Sequence, residues 1–146
     1  MLRGSPSATV DAKGRLKIPA AYIPELRKLG DEFYVTSEDP SFARVYPMKV
    51  WEEVEIKLAK LPSQHPVKQK YLDLTSYYGQ EVSIDAQGRI LLPSRLRDAA
   101  ELTGEVVVLG QQNSLTVWNH SRFYEQKVRA NRWTAEDAKT LGDLGI

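Results

Sequence analysis

Apolar and polar positions alternate over residues 15–18, where Leu16 and Ile18 are interleaved with Arg15 and Lys17. A period of two predicts a strand with one apolar and one basic face. Ser7, Ala8, Thr9 and Val10 form a short β-prone run before it. Between the two lies Asp11-Ala12-Lys13-Gly14, a turn signal: Gly14 tolerates positive φ and Asp11 can accept backbone N–H groups. Pro19 ends the strand. Residues 20–29 then read as a short helix, with Pro24 expected to kink or delay it and Gly30 to close it. Strands are expected over 33–36 and 42–46, joined by the loop 37–41. Pro47 suits the first position of a helix whose apolar stripe is Val50, Trp51, Val54, Leu58 and Leu61. Pro62 stops that helix. A second runs from Pro66 through Val67, Tyr71, Leu74 and Tyr78, and Gly79 ends it.

The first turn then recurs. Asp11-Ala12-Lys13-Gly14-Arg15-Leu16-Lys17-Ile18-Pro19 returns as Asp85-Ala86-Gln87-Gly88-Arg89-Ile90-Leu91-Leu92-Pro93, a shift of 74 positions for Asp, Ala, Gly, Arg and Pro. Ser94 is the expected cap of the following helix, and Gly104 matches Gly30 at the same shift. Beyond Gly110-Gln111-Gln112-Asn113 the shift falls to 72, pairing Tyr46 with Trp118 and Trp51 with Phe123, which places a two-residue deletion in the second hairpin loop. Thr134 and Asp137 are spaced to cap a last short helix whose end is expected to fray. Each repeat is therefore strand, turn, strand, short helix, hairpin, helix. Half-domains of this size bury too little surface alone, so the two should share a core. The expected fold is α+β: a small barrel of two interlocked hairpin repeats with helices outside, which protects strand edges. The expected divisions are 5–52 for the first repeat, 53–80 for a helical linker, 81–126 for the second repeat and 127–146 for a tail.

Composition narrows the function. The chain has 146 residues, 42% of them hydrophobic, and a formal net charge of +1. That balance does not announce a nucleic-acid binder, so any such contact must come from local or repeated charge. With no cysteine, there is no disulfide, zinc thiolate or Cys nucleophile, which suits a cytoplasmic protein. No signal peptide or membrane span is expected. His65 and His120 stand in separate contexts, so neither a metal nor another cofactor is expected. No nucleophile elbow or phosphate-cradling glycine loop is present, and an Arg beside each Asp would keep it ionised, which is wrong for a general acid. The chain is not expected to be an enzyme.

The candidate chemistry lies in the turns. Arg15 and Arg89 can read guanine edges or clamp phosphates, with Asp11 and Asp85 shaping the loops and orienting them. Equally, each Asp and Arg can form a structural ion pair with no ligand. Lys13, Lys17 and Arg3 would add phosphate attraction or serve only as solvated charges. Arg95 and Arg97 follow the second turn; Arg97 sits early in its helix, where a cation is not favoured. The second copy has Gln87 for Lys13 and Leu91 for Lys17, so the second turn is expected to hold phosphate less strongly. Trp51, Trp118 and Phe123 read as core. The face at Val54, Leu58 and Leu61 is either core or a subunit interface.

Tandem Asp-x-x-Gly-Arg-x-x-x-Pro units, each followed by a short helix and a hairpin, resemble AbrB-type swapped-hairpin domains. With Met1-Leu2-Arg3-Gly4 at the start, a helical pair between the units, and Gly110-Gln111-Gln112-Asn113 before Trp118, the chain resembles the bacterial MraZ transcriptional regulators. The resemblance covers nearly all of it except the tail from about Trp133. It implies a double-split barrel, sequence-specific binding of double-stranded DNA at direct repeats in the promoter of the division and cell-wall operon, assembly of copies into a ring, and a nucleoid-associated place in the cytoplasm. Mapped here, the family motif falls on Asp11, Arg15, Asp85 and Arg89. The alternatives are a protein-interaction scaffold on the same barrel and a dimeric antitoxin-like regulator.

Overall fold

The computed structural model describes residues 1–146. Eight antiparallel strands form one sheet: β1 (Ser7–Val10), β2 (Arg15–Lys17), β3 (Glu32–Thr36), β4 (Ala43–Pro47), β5 (Gln80–Ser83), β6 (Arg89–Leu91), β7 (Gly104–Gln111) and β8 (Ser114–Asn119). Their order is β5-β3-β4-β8-β7-β1-β2-β6. The two ends, β5 and β6, are consecutive in the chain, and across their turn the Asp85 N–H donates to the Arg89 carbonyl at 2.9 Å. The sheet thus closes almost completely into a barrel.

The strand pairing interlocks the two repeats. β1 leaves its own half to pair with β7, Ala8 opposite Val106 and Val10 opposite Gly104. β5 reciprocates with β3, Phe33 opposite Val82. β2 and β6 meet antiparallel, with Leu16 opposite Ile90. This is the interlocked arrangement expected from the repeat. Leu16, Ile18, Ile90 and Leu92 are almost wholly inaccessible and join Phe33, Val35, Val106 and Val108 in one core drawn from both halves.

The helices differ from expectation in detail. Residues 20–29 split into a 3-10 turn, Ala20–Tyr22, and a short helix α1 (Ile23–Arg27). Pro24 occupies the first turn of α1, where its missing N–H is no loss, so the α-helix is delayed to this point, one of the two expected outcomes, and is not kinked. Pro47 precedes α2 (Met48–Leu58) as its N-cap. Of the apolar stripe, Val50 and Trp51 are buried, while Leu61 is exposed.

α3 (Pro66–Tyr77) lies on the outside of the first half. The Thr75 carbonyl accepts from Tyr34 Oη at 2.9 Å and Thr36 Oγ1 at 2.6 Å, and Trp51 stacks on Tyr34 with ring centroids 4.7 Å apart. Gly79 permits this docking, since a Cβ there would collide with the Tyr34 hydroxyl and the Thr75 carbonyl. In the second half Pro93, not Ser94, is the N-cap of α4 (Ser94–Ala99). There α5 (His120–Phe123) widens into a π-helical turn, Tyr124–Arg129, and α6 (Ala135–Gly142) follows. Asn119 caps α5, and Thr134 with Asp137 forms a full capping box on α6, as the spacing predicts.

Strand register also corrects the repeat alignment. Ala8 faces Val106 as Val82 faces Phe33, so β3 and β7 correspond at a shift of 73. Val45 opposes Val35, and Val117 opposes Val108. Only one residue is therefore missing from the second hairpin loop; the other is lost between α4 and β7. That loop closes tightly on Gln112, which takes a φ of +65°.

Candidate nucleic-acid interface

Both turns are built alike. Asp11 Oδ1 accepts from the N–H groups of Lys13 at 3.0 Å and Arg15 at 2.9 Å, and its Oδ2 accepts from Arg15 Nε at 2.9 Å. In the second turn Asp85 Oδ1 accepts from Gln87 and Arg89, each at 2.9 Å, and its Oδ2 from Arg89 Nε at 3.1 Å. Gly14 and Gly88 complete the turns with φ of +82° and +76°, and each donates its N–H to the Asp carbonyl three residues back.

The carboxylates are thus bound on both oxygens. Asp11 is held below the ordinary 3.8, first by the Arg15 N–H and further by the Arg15 side chain and the Lys13 N–H. Asp85 is lowered in the same way, led by the Arg89 N–H. Structural ion pair and ligand-reading Arg are consequently not exclusive. Each guanidinium commits Nε to its Asp, and its two terminal nitrogens have no protein acceptor. Two parallel donors on a fixed stem are what bidentate recognition of a guanine edge or a phosphate needs.

Pairing of β2 with β6 sets the two turns on one surface. Arg15 opposes Leu91 and Lys17 opposes Arg89, while Leu16 and Ile90 between them point into the core. Cross-strand partners share a face, so Arg15, Lys17, Arg89 and Leu91 all stand on the outside of this ribbon. By strand geometry the Cα atoms of Arg15 and Arg89 are about 8 Å apart.

Supporting cations cross between the repeats. The Lys17 ammonium donates to the Gln87 carbonyl of the second turn and lies 3.4 Å from where a Gly88 Cβ would be. Over the first turn lies Arg97 of α4: a Cβ on Gly14 would fall inside its guanidinium. Lys17 therefore belongs in space to the second turn. The second turn thus has a lysine beside it that its own repeat does not carry, because the register of β2 on β6 brings one from the other half. Arg97 also sits in the last turn of a six-residue helix, where a cation is favoured rather than disfavoured.

A family model described as "MraZ protein, putative antitoxin-like" matches residues 1–74 and 79–144. The chain belongs to the MraZ family. It is 47% identical to a protein named transcriptional regulator MraZ from Acidobacterium capsulatum, with all of both chains covered. It is similarly 47% identical to its counterpart in Koribacter versatilis, and 36% identical to that of Halothermothrix orenii, again over the full length of both chains.

In this MraZ-family chain the remaining sequence candidates are dispersed. Lys13 is exposed at the first turn. Arg3 is not with the others: Leu2 pairs with Gln112 at the far end of β7, whereas Val10 pairs with Gly104, which puts Arg3 on the order of 20 Å from the first turn by strand rise. Arg95 lies over the Tyr77 ring, 4.4 Å from its centroid. His65 accepts from the Val67 N–H at the start of α3, and His120 lies 3.8 Å from Glu105. No three His, Asp or Glu residues converge in a way that could hold a metal. No helix is long and apolar enough to cross a membrane.

Proposed function

We propose that this chain is a DNA-binding transcriptional regulator that presents the β2–β6 ribbon to double-stranded DNA. Arg15 and Arg89 read base edges, Asp11 and Asp85 hold them, and Lys17 with Lys13 attracts phosphate. The observation that carries the reading is the shared outer face: two Asp-anchored guanidiniums with free terminal nitrogens flank Lys17 on one strand pair. An ion pair serving stability alone would not require both copies to open onto the same surface. The names of the full-length relatives as transcriptional regulators agree with it.

With a net charge of +1 and few cations on the ribbon, one chain should bind weakly. We therefore infer a homo-oligomer, in the form of a ring, that offers successive ribbons to direct repeats in the promoter of the division and cell-wall operon, at the nucleoid in the cytoplasm. Linked copies raise effective concentration without any new interaction. The test is recovery of bound duplexes from a random pool, together with a mass measurement in solution. Recovered direct repeats at fixed spacing and a mass of several chains support the proposal. A chain that enriches no sequence, or whose Arg15→Ala and Arg89→Ala variants bind as the wild type does, refutes it.

A further inference from the structure

Arg97 is an anomaly in the surface. It takes part in none of the ion pairs of the molecule. Its Nε is buried and has no hydrogen-bond partner. Buried donors are almost always satisfied, so one left open calls for a partner or a function. The side chain lies over Gly14, with Nη1, Cζ and Nε all within 2.8 Å of where a Gly14 Cβ would be, and Gly14 is buried where its counterpart Gly88 is only half-buried.

Position in the repeat sharpens this. The residue equivalent to Arg97 in the first half is Ile23, whose Cδ1 lies 3.9 Å from where a Cβ of Gly88 would be. The residue equivalent to Lys17 is Leu91. At each turn, then, one of the two flanking positions from the opposite repeat is a cation and the other is apolar. The first turn is flanked by Arg97 and Leu91, the second by Ile23 and Lys17. Neither turn is left without a cation, although the cations come from different elements.

We propose that Arg97 is a phosphate-contacting residue of the first turn, supplied by the second repeat, and that Lys17 does the same for the second turn. The reading rests on the DNA-binding function above. It gives the two turns different anchors: a planar guanidinium that can grip a phosphate with two donors, and a compact ammonium that acts as a point charge. Strand exchange between the halves thereby makes each turn dependent on the other repeat for its hold on the DNA backbone.

The test is a titration of full-length protein against a mixed-sequence DNA duplex between about 50 and 200 mM salt, where the slope of log affinity on log salt counts phosphates neutralised. Arg97→Met keeps the stem over Gly14 and removes the charge. It should flatten the slope by about one per engaged chain, and Arg97→Lys should restore most of it. Ile23→Arg, which places a guanidinium at the equivalent site beside Gly88, should steepen the slope by a similar amount. This variant answers the question even should Arg97→Met fold poorly, which thermal melting would reveal. A wild-type slope in Arg97→Met with the fold intact, or an unchanged slope in Ile23→Arg, overturns the assignment while leaving Arg15 and Arg89 as the readers. Absence of salt-dependent binding by the wild type would instead remove the DNA-binding function itself, and this assignment with it.

Discussion

Lys17 and Gln87, 70 residues apart, are joined across the two repeats: the Lys17 ammonium donates to the Gln87 main-chain carbonyl. The bond ties the end of β2 to the turn before β6. It means that the second turn carries a cation its own repeat does not encode.

Replacing Lys17 with Met should therefore disturb the second turn more than the first. The amide signals of Gln87 and Gly88 are expected to shift in a nitrogen–proton correlation spectrum, with those of Lys13 and Gly14 nearly unchanged. Larger shifts at the first turn would show that Lys17 serves its own repeat instead.

Arg15→Ala and Arg89→Ala should each weaken binding to a selected DNA site by about 1–3 kcal/mol, the usual worth of one bidentate Arg–guanine pairing. Melting temperature should change little, because both side chains are partly exposed. Gel-shift affinities alongside calorimetric melting separate the two effects.

The turn carboxylates set an acid limit. Asp11 and Asp85 titrate below 3.8 in the folded chain because the Arg15 and Arg89 N–H groups favour the ionised form. A lowered folded value means that their contribution is fully present above the ordinary 3.8 and is lost as pH falls through the lower folded value. The Arg15 and Arg89 amide protons should keep their protection from neutral pH down to about 5 and lose it only in stronger acid. Asp11→Ala, which removes the acceptor, should already show the loss at pH 7 in hydrogen exchange.

Leu16→Ala tests the shared core. Leu16 is fully buried opposite Ile90, so truncation should cost about 2–5 kcal/mol. Because strands of both halves interleave in one sheet, denaturation should remain a single transition seen equally by Trp51 and Trp118 fluorescence. Two separate transitions would mean that the halves fold independently.

Much of this protein is determined by local sequence. The turns follow from Asp, Gly and Arg within five residues, because the carboxylate reaches N–H groups two and four positions on whatever the rest of the chain does. The period of two in β2 and the Thr134–Asp137 cap are local in the same sense. Tertiary structure decided how these parts were combined. Alternation marks which side of a strand is apolar but not which strand lies beside it, so the neighbours of β1, β2 and β5 had to come from packing one shared core. That pairing moved Lys17 to the second turn, laid Arg97 on the first, and carried Arg3 to the far end of β7. It also exposed the 73-residue shift between β3 and β7, invisible to a count of motif spacings because only cross-strand register reports it. Residues adjacent in sequence fixed the shape of each turn, while hydrogen bonds between strands more than 70 residues apart decided which cations stand beside it.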